Sequence, residues 1–335
     1  MVRTSIGGKT RGAAALHPLR LICVSRVCDG RMKVVVVGAG GLGSYIGAVL
    51  AQGGHDVTLV ARGAHRLAIE KNGLEVRSHA GDFNAKVRCV GSGCEVEAAD
   101  LALLVTKTFS LDEVVDQLAH LSEVGAHVVS LLNGITALDR MQEHGISRDV
   151  MADGVAYMTS FRVEPGVVER KAAHQRIVLD ESAGSVALMR QAFEGTLVEI
   201  ETVSDIRVEL WEKMSVVCSL AVLCAIGQRN MGSVRGHSFG AELQQRVITE
   251  VLDVGRANGV PIPAETERKI DETLDRFPDD FFPSVIHDLN QRRRTEMADL
   301  GGEISRLGRA SGVSTPLHDA GTVIVQLAEA REALG

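Results

Sequence analysis

The sequence predicts an α/β domain followed by an all-α C-terminal domain, and three observations support this prediction. Four consecutive valines, 34–37, lead into a glycine-rich turn and then into an Ala- and Leu-rich stretch, which is typical of a buried strand, a turn and a helix. Strand-like and helical stretches then alternate as far as residue 203. Beyond that point only helical periodicity remains. The chain is therefore expected to form two domains, 32–203 and 204–335, as its length also suggests.

The turn after the first strand contains the pattern G-x-G-x-x-G. Its residues are Gly38, Ala39, Gly40, Gly41, Leu42 and Gly43. In such a turn the first glycine permits a sharp exit from the strand, the second lets the backbone approach a pyrophosphate, and the third lets the helix pack close to the sheet. The positive end of the helix dipole faces the same phosphates. With the next strand at 56–61, the pattern predicts a Rossmann-type dinucleotide-binding domain; a purely structural strand-turn-helix is the alternative.

The residue after the second strand distinguishes between the two nicotinamide cofactors. An acidic residue there would hydrogen-bond the ribose 2′-hydroxyl of NAD, but this chain has Arg62. A guanidinium group matches a 2′-phosphate, and no acidic residue occurs between Asp56 and Glu70 to repel it. The predicted cofactor is NADP(H), with a solvated surface arginine as the alternative.

The composition argues against several classes of function. A net charge of -7 disfavours a general nucleic-acid or membrane-surface binder, while a local cationic pocket for an anionic cofactor is compatible with it. Only 3% of residues are aromatic, so base-stacking surfaces are not expected. The longest apolar run, 214–226, is interrupted by Ser215 and Ser219 and is shorter than a membrane span, which predicts a buried helix.

The cysteines show neither the close C-x-x-C pairs of a zinc site nor a disulfide framework, which a chain of 335 residues does not need. They are Cys23, Cys28, Cys89, Cys94, Cys218 and Cys224. We interpret them as reduced and expect a cytoplasmic protein without a metal site.

The first 31 residues differ from the rest of the chain. They contain six basic residues and a single acid, Asp29, and they show no clear periodicity. A transit peptide has a similar composition, but Met32 directly precedes the first strand and suggests an upstream misassigned start or a disordered extension. This segment is expected to contribute little to the fold.

Periodicity predicts the remaining elements in order. The first domain continues with a helix at 64–72, strands at 74–77, 83–90 and 99–106, a helix at 111–121 and a strand at 127–132. A strand-rich region, 149–179, with a turn at Glu164, Pro165 and Gly166, predicts an antiparallel extension of the parallel sheet before a helix at 185–193 and a strand at 197–200. The predicted helices of the second domain span 205–226, 241–258, 264–276, 283–291, 295–310 and 318–334.

Two polar residues follow predicted parallel strands, whose carboxyl ends are where such sheets bind ligands. Lys107 follows the strand at 99–106 and would meet cofactor phosphate or the carboxamide region. Asn133 follows the strand at 127–132 and would hydrogen-bond nicotinamide or substrate. Each taken alone also suits a helix cap or a turn.

These features, taken with two further segments, resemble the ketopantoate reductase (2-dehydropantoate 2-reductase) family. The matching features are the glycine turn, Arg62, LLVTKT with Lys107, the Asn133-Gly134 pair, LWEKM at 210–214 and SVIHDLNQRRRTEMADLGGEI at 284–304. The glycine turn is generic, whereas the lysine helix and the S-x-x-x-D…T-E…G element are more specific, and the resemblance extends from Met32 to the C-terminus. It implies NADPH-dependent reduction of a 2-keto acid in a cleft between the two domains, with ketopantoate converted to pantoate for pantothenate and coenzyme A biosynthesis.

The resemblance also implies roles for individual residues. Lys213 would be the proton donor, and Glu296 would be a second catalytic residue that faces both cofactor and substrate hydroxyl. Asn133, Lys213 and Ser284 would bind the substrate. A lysine ammonium suits the role of donor because a cleft can bring its pKa toward working pH. The structural alternatives are a solvated helix lysine, a first-turn acid at Glu296 and a helix cap at Ser284.

The chain departs from the family pattern at the helix that contains Lys213. The family usually has asparagines four and eight residues beyond the lysine, and here Val217 and Ala221 occupy those positions on the same helical face. Asn230 is one position out of register with a further family asparagine. The departure leaves open another branched 2-oxo acid or an imine as the substrate, and a non-catalytic NADP(H)-binding regulator as a different class. The helical domain would also hold the contact of a possible homodimer.

Overall fold

The computed structural model of the protein describes residues 30–79, 81–171 and 175–333. The strands are β1 (Lys33–Val37), β2 (Asp56–Val60), β3 (Leu74–Ser78), β4 (Phe83–Ala85), β5 (Arg88–Val90), β6 (Leu101–Leu104), β7 (His127–Ser130), β8 (Met151–Tyr157), β9 (Ser160–Glu164), β10 (Val167–Arg170), β11 (Arg176–Asp180) and β12 (Glu199–Val203). The predicted N-terminal extension lies outside the described residues except for Gly30 and Arg31.

The α-helices alternate with strands in the first half of the chain and replace them in the second. They are α1 (Gly41–Gln52), α2 (Gly63–Asn72), α3 (Leu111–Glu123), α4 (Ala137–Glu143), α5 (Val186–Phe193), α6 (Ile206–Gly227), α7 (Met231–Arg235), α8 (Gly240–Ala257), α9 (Thr266–Asp275), α10 (Ser284–Asn290), α11 (Gly301–Ser311) and α12 (Pro316–Ala333). The predicted α/β domain followed by an all-α domain is confirmed. The short helices α4 and α7 were not predicted from the sequence.

An eight-stranded sheet forms the core of the first domain, in the order β12-β11-β8-β7-β6-β1-β2-β5. Helices cover both faces, so the central strands are buried continuously; all four residues of β6 are buried, for example. The pairings of β5, β2, β1, β6, β7 and β8 are parallel, and β11 is antiparallel to β8. The carboxyl ends of the parallel strands therefore lie along one edge, where the glycine turn begins.

The predicted antiparallel extension of this sheet is right for β11 and wrong for β9 and β10. Those two strands leave the main sheet and join β3 and β4 in a second sheet, ordered β4-β3-β10-β9. The predicted strand at 83–90 likewise divides between the two sheets as β4 and β5. Packing against α1 explains the separation, because a Cβ atom at Gly41 would lie only 2.3 Å from the carbonyl oxygen of Ser160 in β9.

Helix α6 is the centre of the second domain. It packs against α8, α9, α10 and α12, and most of its side chains, from Leu210 to Ala225, are buried. Among the residues that the structure describes, α6 alone is long and apolar enough to cross a membrane, but 72% of its apolar window is buried inside the protein. The helix is thus a core helix, as predicted for 214–226.

The domains meet where β12 ends at Val203 and α6 begins at Ile206. The Asp205 side chain caps α6 by accepting a hydrogen bond from the Arg207 amide. A small apolar cluster of Val155, Val178 and Leu210 joins the large sheet to α6. One face of α6 is thereby held against β8 and β11, while the rest of the helix lies in the helical domain.

The predicted helix at 295–310 begins only at Gly301. The residues before it form a turn in which the Thr295 amide donates to Glu329 Oε1 at 2.8 Å, and Glu296 points away from its own segment toward Thr108. Tertiary hydrogen bonds replace the first helical turn here, because the polar groups of 295 and 296 find partners outside the segment.

Candidate active site

The glycine turn has the geometry of a phosphate-binding loop. Gly38 has a φ angle of +111°, and a Cβ atom there would lie 2.7 Å from the backbone of Val105. A Cβ atom at Gly43 would lie 1.9 Å from the carbonyl oxygen of Gly38. At Gly40, by contrast, no atom lies within 4 Å of the Cβ position. The loop is thus tight against the protein on one side and open on the other, as the approach of a pyrophosphate requires.

The electrostatics of this loop also suit an anion. The first turn of α1 contains no acidic residue, and no side chain caps its N-terminus. Its free amides and its dipole are therefore available to a negatively charged group. Arg62 is exposed two residues after β2, at the same edge of the sheet. These residues fit a nicotinamide dinucleotide: the glycine turn would hold its pyrophosphate, and Arg62 would be available to its adenosine ribose.

Lys213 lies on the face of α6 that points toward the large sheet. Its ammonium donates a hydrogen bond of 3.0 Å to the carbonyl oxygen of Ala156 in β8. Burial lowers the pKa of Lys213 to about 8, and attraction from the Glu296 carboxylate opposes this decrease. A lysine in this state is a proton donor at neutral pH that can also give up its proton.

Lys213 and Asn133 border the same cleft between the two domains. Seven residues line it: Leu132, Asn133, Gly134, Leu210, Lys213, Met214 and Val217. The structure thus brings together two predicted substrate-binding residues that are 80 positions apart in the chain.

Lys107 does not line this cleft and lies in another corner of the domain interface, between two carboxylates. Its Nζ is 3.0 Å from Asp288 Oδ2 and 2.9 Å from Glu296 Oε2. Burial alone would lower the pKa of Lys107, but the charges and hydrogen bonds of Glu296 and Asp288 outweigh it and raise the pKa. Both carboxylates are only 8% exposed, and the Lys107 ammonium neutralises part of this nearly buried negative charge. Because Lys107 follows β6 and both acids belong to the helical domain, this triad also links the domains.

Thr108 is a site residue that sequence reasoning missed. Its amide donates to Glu296 Oε1 at 3.0 Å. Its hydroxyl lies 2.7 Å from the Asn133 carbonyl oxygen and 3.0 Å from Glu296 Oε1, and its single proton serves one acceptor at a time. Thr108 therefore positions Glu296 and joins the loops that follow β6 and β7. Its place directly after Lys107, at a strand end, was the available signal.

Asp288 was also not singled out, although it is the acidic member of the S-x-x-x-D element. Besides contacting Lys107, it lies 3.2 Å from Arg293 Nη2.

Ser284 of the same element is exposed as the first residue of α10 and is not among the residues that line the Lys213 cleft. Asn230, which is one position out of register with a family asparagine, caps α7. Its side chain accepts a hydrogen bond from the Ser233 amide at 3.0 Å. The structure therefore gives Asn230 a structural role.

The two departures from the family pattern have different surroundings. Val217 lines the cleft with Lys213, one helical turn away. Ala221 is 5% exposed and packs in the apolar core of the helical domain. Only Val217 therefore changes the wall that a substrate would meet.

The described residues contain no group of three or more His, Cys, Asp or Glu side chains that could hold a metal ion. The four cysteines within the described ranges are free thiols: Cys89, Cys94, Cys218 and Cys224.

An open glycine turn, an exposed arginine at the same edge of the sheet and a half-buried lysine in an interdomain cleft define a class of dinucleotide-binding oxidoreductases. Comparison with known families agrees: the model for Ketopantoate reductase PanE/ApbA matches residues 34–184, and the model for Ketopantoate reductase PanE/ApbA C terminal matches residues 205–329. The chain belongs to the ketopantoate reductase family.

Individual relatives span nearly the whole chain at modest identity. A crystal structure of a PanE/ApbA family ketopantoate reductase from Ralstonia eutropha JMP134 has a TM-score of 0.82 at 29% identity and covers 90% of this chain and 100% of its own. The 2-dehydropantoate 2-reductase of Pyrococcus horikoshii is 27% identical over 91% of this chain and 99% of its own length. D-mandelate dehydrogenase with NADH and anilino(oxo)acetate has a TM-score of 0.81 at 25% identity, covering 90% and 100%. The chain is thus similar both to ketopantoate reductases and to a dehydrogenase that binds NADH.

Proposed function

We propose that the protein reduces a 2-keto acid to a 2-hydroxy acid with NADPH, ketopantoate to pantoate being the reaction that the family implies. The main support is the state of Lys213, an ammonium with a lowered pKa that borders the cleft together with Asn133. A proton donor of this kind and an amide are the groups that a carbonyl reduction needs beside the cofactor.

In the proposed reaction the bound cofactor supplies a hydride to the keto carbon. Lys213 donates a proton to the keto oxygen as negative charge develops there, and the ammonium stabilises that charge. Asn133 orients the substrate through its amide. Glu296, held by Lys107 and Thr108, attracts the ammonium and limits the fall of its pKa. After turnover, Lys213 is neutral and takes a proton from water.

Oxidation of NADPH in the presence of ketopantoate tests the reaction. Saturable, substrate-dependent turnover supports the proposal, whereas binding of NADPH without turnover on any 2-keto acid or imine would favour a non-catalytic regulator. Chiral analysis of the product then establishes which 2-hydroxy acid forms.

The preference for NADPH rests on Arg62, which is exposed beyond β2 with no acidic neighbour in the chain from 57 to 69. Replacement of Arg62 by Ala should raise the Michaelis constant for NADPH about tenfold, the effect of losing one charge-assisted contact. The constant for NADH should change less than about twofold, because NADH has no 2′-phosphate for the guanidinium to bind. Arg66→Ala is a matched control, since Arg66 pairs with Glu70 in α2. Equal changes with both cofactors would contradict the assignment.

A different substrate is the second candidate, and the position of Val217 favours it. Leu132, Leu210, Met214 and Val217 make most of the cleft wall apolar. An apolar wall neither rewards nor strongly rejects a hydroxyl group. A branched 2-oxo acid without the hydroxyl of ketopantoate, such as 2-oxoisovalerate, would then compete well.

The ratio of kcat/KM for ketopantoate to that for 2-oxoisovalerate distinguishes the two candidates. If Val217 governs the choice, the wild-type ratio should be near unity, and Val217→Asn should raise it about tenfold by adding a hydrogen-bonding group. Val216→Asn is the matched control, because Val216 lies one position away and is not part of the cleft wall. A wild-type ratio above about 1000, unchanged in Val217→Asn, would mean that other groups recognise the hydroxyl.

A further inference from the structure

Tyr157 lies at the end of β8, beside the residue that accepts the hydrogen bond of Lys213. Its hydroxyl donates to Glu209 Oε1 at 2.7 Å. Glu209 precedes Lys213 by four residues and shares its face of α6. Ala156 and Tyr157 are consecutive in β8, so the last two residues of one strand bind two successive turns of one helix. The two hydrogen bonds form a brace between β8 and α6.

A third residue completes the brace from the neighbouring strand. Arg176 of β11 is paired in register with Tyr157, and its guanidinium carbon lies 4.4 Å from the centre of the tyrosine ring. Its two terminal nitrogens reach different acids, Glu201 at 2.8 Å and Glu209 at 3.7 Å. Glu209 is only 14% exposed, so its charge depends on Tyr157 and Arg176 for compensation. The ring and the carboxylate are thus fixed from two sides.

We propose that Tyr157, acting through Glu209, is a positioning residue for Lys213. The ammonium meets the Ala156 carbonyl only if α6 stays in register with β8, and a lysine side chain has four rotatable bonds with which to leave that contact. The apolar cluster of Val155, Val178 and Leu210 resists separation of the helix from the sheet but is non-directional. Hydrogen bonds are directional, so the Tyr157 hydroxyl supplies the alignment that the apolar contact lacks.

Loss of the hydroxyl should act on Lys213 in a defined direction. Without its donor, the nearly buried Glu209 carboxylate gains from contact with water, which draws the first turns of α6 away from β8. Lys213 then becomes more hydrated, and its pKa rises toward the ordinary value. The charged and titratable groups facing Tyr157 are Glu209 and Glu212 from α6 and Arg176 from β11, with Glu201 of β12 reached through Arg176. The side chains of these four residues form no hydrogen bond or ion pair with the Lys213 ammonium, whose partner is the Ala156 carbonyl.

The chain provides a matched pair of variants, because it contains only two tyrosines. Tyr157→Phe keeps the ring under Arg176 and removes the hydroxyl. Tyr45→Phe removes another buried hydroxyl that is hydrogen-bonded, here to Gln175, in the core of the first domain. If the Tyr157 hydroxyl has a merely structural role, the two variants should lose similar amounts of melting temperature and should not differ in any other property. A positioning role predicts that only Tyr157→Phe changes Lys213.

Two measurements test for the expected change in Lys213. In Tyr157→Phe, kcat should fall about tenfold with both Michaelis constants within about twofold, as expected for a displaced catalytic group. In the protein without cofactor, NMR of ¹³C-methylated lysines, with the Lys213 signal assigned through Lys213→Arg, should show the pKa of Lys213 rising by about half a unit or more. Tyr45→Phe should show neither effect. An unchanged pKa of Lys213 in Tyr157→Phe, or equal behaviour of the two variants, would overturn the proposal.

The Glu209 variants provide a second route if Tyr157→Phe does not fold. Glu209→Gln keeps an acceptor oxygen for the tyrosine and should retain most of the turnover. Glu209→Leu removes it and should reproduce the effects expected of Tyr157→Phe; if it leaves the pKa of Lys213 unchanged, the brace is refuted. The inference rests on the proposed role of Lys213, but the cofactor-free titration separates the two: absence of any reductase activity would reject that role, while the pKa comparison still decides whether the brace acts.

Discussion

Two corners of the domain interface each contain a lysine, and the surroundings of the two lysines are opposite. In one corner, the Lys107 ammonium lies within 3.0 Å of two carboxylates, those of Asp288 and Glu296. In the other, the Lys213 ammonium donates to a neutral backbone carbonyl, that of Ala156. The pKa of the first lysine is raised and that of the second is lowered to about 8. Burial acts on both, so the difference comes from the carboxylates.

This difference shows how the same residue type can serve two tasks at one domain interface. A lysine held by two carboxylates keeps its proton and serves as a link between the domains. A lysine that is desolvated without a carboxylate in contact loses its proton more readily and suits general acid catalysis. Glu296 takes part in both corners, by direct contact with Lys107 and by longer-range attraction on Lys213.

Lys213→Ala should have the largest effect on catalysis. Turnover should decrease by about 100-fold or more, which is the usual result of removing a general acid. The dissociation constant of NADPH should hardly change, because the glycine turn and Arg62 are separate from Lys213. Lys86→Ala, at an exposed lysine of the first domain, is the control. Turnover within a few-fold of wild type would show that the proton comes from another source.

The pH dependence should reveal the lowered pKa directly. Reduction needs protonated Lys213, so kcat/KM for the keto acid should be constant below pH 8 and fall about tenfold per unit above it. Oxidation of the 2-hydroxy acid needs the neutral amine and should show the opposite slope. If kcat/KM for reduction decreases only near pH 10, Lys213 is not desolvated in the working enzyme.

Lys107→Met should affect stability more than chemistry. It leaves Glu296 without its cation and Asp288 with Arg293 alone. Removing one partner costs about 3–5 kcal/mol in fully buried pairs. Because the Lys107 side chain is 40% exposed, we expect a smaller loss, about 1–2 kcal/mol. The urea midpoint measures it, and Lys107→Arg, which keeps the charge, should retain most of the stability. An unchanged midpoint in Lys107→Met would mean that water already compensates both acids.

Glu296→Gln should produce the smallest effect and tests the connection between the corners. Removing its charge takes away the attraction that opposes the lowered pKa of Lys213. The alkaline limb of the reductive profile should therefore move to lower pH, by about half a unit. Lys107 keeps Asp288 as a partner and should stay in place. Movement of the limb to higher pH would show that Glu296 acts on Lys213 mainly through structure.

Prediction from sequence was most complete where neighbouring residues determine the structure. The glycine turn, its strand and its helix depend on contacts within about 30 residues, and their type was predicted correctly. The β9–β10 pair was assigned to the wrong sheet, because its pattern indicates strands but not their partners. The residues at 295 and 296 look helical by composition and become a turn because Glu329 and Thr108 bind them.

The same distinction applies to the candidate site. Lys107, Asn133, Lys213 and Glu296 were each proposed from strand ends or from family resemblance, without any means of knowing which of them would touch. Thr108 and Asp288 emerged only as partners of residues far away in the chain. Val217 and Ala221 looked equivalent by helical spacing, yet one faces the cleft and the other the core.

The sequence by itself determined the two-domain α/β and all-α organisation and the glycine turn, because strand runs, glycine spacing and helical periodicity are local properties of the chain. It also determined the family, through motifs that remain recognisable without a structure. Only the tertiary structure decided the protonation behaviour of the two lysines. A pKa depends on burial and on charges within a few ångströms, and the charges that matter here come from residues up to 189 positions away in the chain.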